Sequence, residues 1–189
     1  MANFTVLYDA NVLYPAPLRD LLIQLAKTGL FRAKWSNAIH DEWIRNLLKN
    51  RTDLKPADLM KTRSAMDNAV LDSLVEDYES LIPSLNLPDP TDRHVLAAAI
   101  RGRADVIITL NLKDFPSSEL SKYSIETKHP DDFILDLLNL APEMVYSSVR
   151  QIRKRLKNPP LNANSYLDNL EQNGLAITVS SLRKFSANL

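Results

Sequence analysis

The sequence predicts an α/β protein, a parallel sheet flanked by helices with a helical C-terminal extension, and three observations carry that expectation. Phe4-Thr5-Val6-Leu7-Tyr8 is a short apolar, β-branched and aromatic run, the composition of a strand buried within a parallel sheet. It stops at Asp9 and is followed by a helical stripe, the opening of a βαβ arrangement. Ala104 to Thr109 repeats the pattern and ends in polar residues: Thr109, Asn111 and, ahead of Phe115, Asp114.

Asp9 stands at the carboxyl end of its strand, where ligand-binding residues collect in open α/β folds; the same position suits an Asx-turn or a helix N-cap. Pro15 and Pro17 precede Leu18, Leu21, Leu22, Leu25 and Ala26, the stripe of an amphipathic helix that Gly29 closes. A second helix starts with Ser36 as N-cap and carries Ile39, Trp43 and Leu47 on one face, with Glu42 at the edge of that face. Lys55 to Asp77 reads as one or two helices outside the sheet, started by Pro56 and packed through Leu59, Met66, Val70, Leu74 and Val75. Tyr78 to Leu87 reads as a short strand that Pro83 confines to an edge or a bulge.

Asp89 before Pro90 suits an N-cap followed by the first helical position, and the helix runs through Val95 to Ile100 and stops near Gly102. Asp92 falls in its first turn, where the helix dipole favours an anion. Ser124 to Thr127 is a further short strand, and Pro130 opens a helix carrying Phe133, Ile134, Leu137 and Leu138. From Pro142 the pattern is helical, broken at Pro159-Pro160 and at Gly174. The expected division is one domain over residues 1–140 and a helical extension over 141–189.

With 189 residues, 45% hydrophobic and 24% charged, the chain can bury a full core as one domain with a small appendage. It has no run of about 18 apolar residues and no basic-then-apolar N-terminus, so the expectation is a cytoplasmic protein with no membrane span and no secretory signal. The absence of cysteine excludes disulfides, thiolate nucleophiles and thiolate zinc sites, and three scattered histidines argue against a histidine-rich metal site. Any metal would be held by oxygen. A formal net charge of zero gives no global pull on nucleic acid, so such binding would rest on a local patch.

These placements assemble a constellation. Asp9 and Asp114 follow two strands at their carboxyl ends, Asp92 heads a helix leaving the same edge, and Glu42 reaches in from a helix flank, all toward one crevice. Two carboxylates about 4 Å apart repel by on the order of 4 kcal/mol at an effective dielectric of about 20, so four ionised groups need a cation or protons among them. Apart from Arg93 and His94, no basic residue of these motifs is placed to neutralise them. Oxygen ligands with room for water suit Mg²⁺ or Mn²⁺, which polarise phosphoryl oxygens and activate water for in-line displacement. The residues point to metal-dependent phosphodiester hydrolysis.

Tyr8-Asp9-Ala10-Asn11-Val12-Leu13, Glu42-Trp43, Asp89-Pro90-Thr91-Asp92-Arg93-His94-Val95-Leu96-Ala97-Ala98-Ala99 and Ile108-Thr109-Leu110-Asn111-Leu112-Lys113-Asp114-Phe115, in this order and spacing, resemble the PIN-domain ribonucleases, in particular the VapC-type toxins of bacterial toxin–antitoxin pairs. The resemblance covers roughly residues 4 to 140. It implies a parallel sheet flanked by helices, an acidic pocket holding one or two Mg²⁺ or Mn²⁺ ions, cleavage of single-stranded RNA, and a cognate antitoxin as partner. Carried over by position, Asp9, Glu42, Asp92 and Asp114 form the acidic set, with Asn11, Thr109 and Asn111 as orienting polar groups. Asp9 and Asp92 would be the principal ligands and Glu42 a ligand or an acceptor for a metal-held water. Asp114 would serve a second ion or orient the first ligands, and Thr109 would fix the rotamer of Asp9. Asn111 departs from the pattern, since many relatives carry an acid shortly after the threonine; Asp114 either replaces that charge or starts a turn.

Arg150, Arg153, Lys154, Arg155 and Lys157 form a basic run around a helix whose buried side is Val149, Ile152 and Leu156; it can bind RNA phosphates or be a solvated face. Beyond it, Tyr166, Leu167 and Leu170, then Leu175, Ile177, Val179, Leu182 and Phe185, make two amphipathic segments that dock on the domain, form a homodimer contact or offer a groove to a partner helix. Two other classes compete. An Asp-dependent α/β phosphatase predicts a second acid two residues after Asp9, where Asn11 stands instead. A non-catalytic interaction module with this fold predicts a decayed pocket, yet Asp9, Glu42 and Asp92 are all present.

Overall fold

The computed structural model describes residues 4–157 and 159–184, and its apolar N-terminal run is the central strand of a five-stranded parallel sheet. In chain order, β1 (Thr5–Tyr8) leads through one helical turn, α1 (Ala10–Leu13), into α2 (Ala16–Ala26), and β2 (Arg32–Ser36) is followed by α3 (Asn37–Asn50) and α4 (Pro56–Ala69). β3 (Leu74–Val75) precedes a 3-10 helix, Glu79–Ser84, and a second 3-10 turn, Pro90–Asp92, runs directly into α5 (Arg93–Arg101). β4 (Val106–Ile108), α6 (Ser117–Leu120), β5 (Glu126–Lys128) and α7 (Pro130–Leu140) come next. α8 (Pro142–Arg155), α9 (Ala163–Gln172) and α10 (Ala176–Arg183) close the described chain. Strand order is β3-β2-β1-β4-β5, with Leu7 opposite Lys34 and Ile107, and Tyr8 opposite Ile108.

Apolar side chains hold the layers together, a buried Leu or Phe contributing about 1.5–3 kcal/mol. Tyr8 stacks on Trp35 with centroids 6.2 Å apart, and Phe133 of α7 meets Phe31 edge-on at 5.0 Å. The Tyr8 hydroxyl donates to the Leu22 carbonyl at 3.1 Å, tying α2 to the central strand. α5 packs on β1 and β2, where the fully buried Ala97, Ala98 and Ala99 let the helix lie close. At its end, a Cβ on Gly102 would stand 2.9 Å from Val75 Cγ2 and 3.0 Å from the Ala98 carbonyl oxygen, so only glycine passes β3 there unhindered.

Three expectations from the sequence are corrected. β2 forms over Arg32–Ser36, where the pattern announced only a helix starting at Ser36; its apolar side is Ala33 and Trp35, too little to register beside Arg32 and Lys34, and pairing with β1 completes it. Leu74 and Val75 are a strand, not the end of a helix: α4 ends at Ala69, and Asp72, at a left-handed φ of 58°, turns the chain back toward the sheet. Glu79–Ser84 is 3-10 helix, not strand. Pro83 has no N–H for a ladder, and local bonds such as Leu81 N–H to the Tyr78 carbonyl (3.0 Å) satisfy the backbone instead.

The C-terminal helices pack onto the domain. Gln24 of α2 donates to Gln151 Oε1 at 3.1 Å and accepts from Arg155 Nη2 at 3.0 Å, joining α8 to α2. Asp131, buried in the first turn of α7, accepts from the backbone N–H groups of Ile177 (2.8 Å) and Thr178 (2.7 Å), capping α10 from a distant helix. Leu167, Leu170, Leu175, Val179 and Leu182 are fully buried, Ile177 is exposed, and Phe185 lies outside the described residues. Among the described residues no helix is long and apolar enough to cross a membrane.

Candidate active site

β1 and β4 run side by side and end together, which sets Asp9 against Thr109 although 100 residues separate them. The backbone leaves β1 at Asp9 in extended geometry and turns at once into α1, so Asp9 is its N-cap and Oδ1 accepts from the Ala10 N–H at 2.7 Å. Oδ2 accepts from Thr109 Oγ1 at 2.8 Å and from Asn11 Nδ2 at 2.7 Å. Asn11 in turn accepts from the Leu110 N–H at 2.9 Å, and the Thr109 hydroxyl accepts from the Asn111 N–H at 3.1 Å. The carboxylate is thereby locked in one rotamer. Asp9 is only 5% exposed, and burial raises its pKa to about 6; the hydrogen bond from Thr109 opposes that rise and the charge of Glu42 adds to it.

Asp92 sits where the 3-10 turn meets α5, and its side chain makes no capping bond. That duty falls to Asp89, which accepts from the Thr91 N–H at 2.8 Å and the Thr91 hydroxyl at 2.7 Å, the capping role read from the sequence. Asp92 faces other carboxylates instead. Burial first, then the charges of Asp9, Asp114, Asp89 and Glu42, lift its pKa to about 7. Asp114 ends a 3-10 turn, Leu112–Asp114, and takes a short hydrogen bond from Asn111 Nδ2; it is a turn residue whose charge still reaches Asp92.

Glu42 projects from α3 beside the buried stripe of Ile39, Trp43 and Leu47. Its Oε2 lies 3.1 Å from His94 Nε2, while His94 Nδ1 is buried with no hydrogen-bond partner among the described residues. A proton on Nδ1 would be an unpaired buried donor and would leave a lone pair facing the carboxylate, so the N–H belongs on Nε2. The structure thus brings Asp9, Glu42 and Asp114 within electrostatic reach of Asp92, and Glu42 within reach of Asp9, with Asn11 and Thr109 hydrogen-bonded to Asp9 and Asn111 to Thr109 and Asp114.

A family model described as PIN domain matches residues 5–113, more than half of the chain. The chain belongs to the PIN-domain family. A second model, described as VapC50 C-terminal domain, matches residues 130–184. The chain is also 42% identical over 103 residues to a protein of Mycobacterium tuberculosis named "Putative ribonuclease VapC50"; the match covers 54% of this chain and 60% of that protein, less than two thirds of its length. No solved structure gives a match.

The donor set of this PIN domain is all oxygen and anionic, which fits a hard divalent cation in type and charge. Among the described residues no three acidic or histidine side chains converge closely enough to enclose an ion by themselves.

The basic run lies elsewhere. α8 packs along α2, and Arg155 is hydrogen-bonded to Gln24.

Sequence reasoning missed what braces Trp43, the residue after Glu42. Trp43 Nε1 donates to His40 Nδ1 at 3.0 Å, His40 Nε2 pairs with Asp67 Oδ1 at 2.9 Å, and Trp35 Nε1 donates to that same oxygen at 2.8 Å. The Arg19 guanidinium covers the other ring, 4.8 Å from the Trp43 centroid, and donates to the Leu13 carbonyl at 2.8 Å. His40 three residues before Trp43 was the visible half of this signal; Asp67 and Arg19 arrive from other helices.

Proposed function

We propose that the chain is a divalent-metal-dependent endoribonuclease that cleaves single-stranded RNA, the toxin of a type II toxin–antitoxin pair. The observation that carries this reading is the gathering of Asp9, Glu42 and Asp114 around Asp92 at the carboxyl end of the sheet: burial and neighbouring negative charge raise the pKa of Asp9 to about 6 and of Asp92 to about 7, which disfavours their ionised forms, the mark of a cluster short of positive charge. Asp9 and Asp92 would hold the ion, with Glu42 and Asp114 at its flanks. Bound there, Mg²⁺ or Mn²⁺ supplies Lewis-acid charge opposite the phosphoryl oxygens of the scissile bond.

The remaining work falls to the chain. Thr109 and Asn11 hold Asp9 in one orientation, so no rotamer freedom is lost when the site loads. Glu42, engaged through Oε2 by His94, has Oε1 left to accept a proton from the attacking water. In this reading the basic residues of α8 contact phosphates remote from the cut. Membership of the PIN-domain family and the likeness to a protein named a ribonuclease support RNA as substrate. The match to a VapC50 C-terminal domain supports the toxin assignment, and with it an antitoxin protein as partner.

The test is cleavage of a mixed single-stranded and structured RNA pool with Mg²⁺, with Mn²⁺ and with EDTA, beside Asp92→Asn. Cutting that requires metal and Asp92 is expected. A folded, metal-binding protein that cuts nothing in the pool would favour the non-catalytic module.

A further inference from the structure

Next to the acidic cluster, on the α3 side, lies a cavity of about 360 Å³ whose walls include Asn11, Tyr14, Glu42, Asn46, Asn50 and Leu110. Asn11 and Glu42 belong to the cluster, so whatever fills the cavity lies against it. Glu42, Asn46 and Asn50 are spaced by four residues and form one stripe of α3 that leads away from the carboxylates. Tyr14 follows α1, five residues after Asp9, and its hydroxyl accepts from Asn50 Nδ2 at 3.2 Å, which holds the ring between α1 and α3.

The lining differs in kind from the cluster. Among the described residues its single charged member is the carboxylate of Glu42, which repels a phosphate. What remains is a phenol ring, primary amides and the apolar surface of Ala10, Pro15 and Leu110. Asn11 is spent on Asp9, Thr109 and Leu110, which leaves Asn46, and Asn50 beyond its bond to Tyr14, to offer donors and acceptors, and an aromatic face stacks on flat heterocycles whatever their identity. An uncharged planar ring with hydrogen-bonding edges fits these walls; an unpaired nucleobase has that chemistry, and splayed bases are what proteins read in single-stranded RNA.

We propose that this cavity is a subsite for one unpaired base adjacent to the scissile phosphate, with Tyr14 as its stacking surface and Asn46 and Asn50 as readers of its edge. The subsite presupposes the ribonuclease activity proposed above and assigns the choice of cutting position to these three residues.

A randomised single-stranded RNA pool cut in Mn²⁺, with product ends sequenced and Mn²⁺ affinity measured in parallel by calorimetry, tests it. The expected result is a base preference at one position flanking the cut, flattened by Asn46→Ala and Asn50→Ala. Tyr14→Ala lowers kcat/KM about 10-fold and Tyr14→Phe, which keeps the ring face, stays near the parent; Mn²⁺ affinity is unchanged in all four. Tyr14→Ala and Asn46→Ala cutting at the parent's rate and preference would overturn the subsite and leave the nuclease standing. Variants that lose Mn²⁺ affinity would also overturn it, by assigning the residues to the metal site. A parent that binds Mn²⁺ and cuts no RNA would remove the ribonuclease reading and the subsite together.

Discussion

The Thr109 hydroxyl donates to Asp9 Oδ2 at 2.8 Å, joining the ends of two neighbouring strands in a buried contact. It opposes the effect of burial on Asp9, holding down a pKa that already stands at about 6. Thr109→Val keeps the shape and deletes the donor. The expected cost is about 1.5–3 kcal/mol, the range for hydrogen bonds to charged groups, with the Asp9 pKa rising further. Urea denaturation and carboxyl titration by NMR measure the two effects; a Thr109→Val protein as stable as the parent, with Asp9 unmoved, would contradict both.

Stability should follow pH with a definite sign. Asp9 and Asp92 are raised from 3.8 to about 6 and about 7, so each stabilises the fold when protonated. That contribution is whole below the unfolded value and is lost as pH rises through the folded values. In EDTA the melting temperature is expected to climb between pH about 8 and pH about 5.5, and to climb less in Asp92→Asn. Saturating Mn²⁺ at the higher pH replaces the protons, adding about 2.7 kcal/mol at a free concentration of about one hundred times Kd. Identical pH profiles for parent and Asp92→Asn, or melting indifferent to Mn²⁺, would count against the cluster.

His94 reaches Glu42 from the helix that also carries Asp92 at its start. His94→Phe removes the donor and is expected to weaken Mn²⁺ binding about 10-fold, the lower end of what such supporting contacts contribute. His94→Gln, whose amide can still donate, should recover most of it. In a Glu42→Gln background the His94 substitution should add nothing; an additive loss would mean that His94 acts by some route other than Glu42.

Asp131 links α7 to α10 through two backbone N–H groups. Asp131→Ala strips both bonds and is expected to cost about 2–3 kcal/mol. Hydrogen exchange should rise mainly over residues 163–184, with Mn²⁺ affinity retained. Uniform exchange across the sheet would show that the C-terminal helices and the sheet unfold as one unit.

The sequence by itself determined the parallel α/β class, the buried first strand, the start of α3 at Ser36 and the capping role of Asp89, because each is a local signal: an apolar run of strand length, a hydroxyl or carboxyl one residue before a helix, a proline that presets φ. It also placed Asp9, Asp92, Asp114 and Glu42 at element ends or flanks from which a crevice could collect them. Only the tertiary structure decided β2 and β3, whose few apolar residues become strands when a paired neighbour supplies the ladder. Only it decided that the Asp92 side chain makes no capping bond and faces other carboxylates, that His94 meets Glu42, and that Arg19, His40 and Asp67 brace Trp43. The reason is physical: helix caps and hydrophobic periodicity act over a few residues and are written in the chain, whereas burial and the field of neighbouring charges depend on groups brought close in space from distant positions.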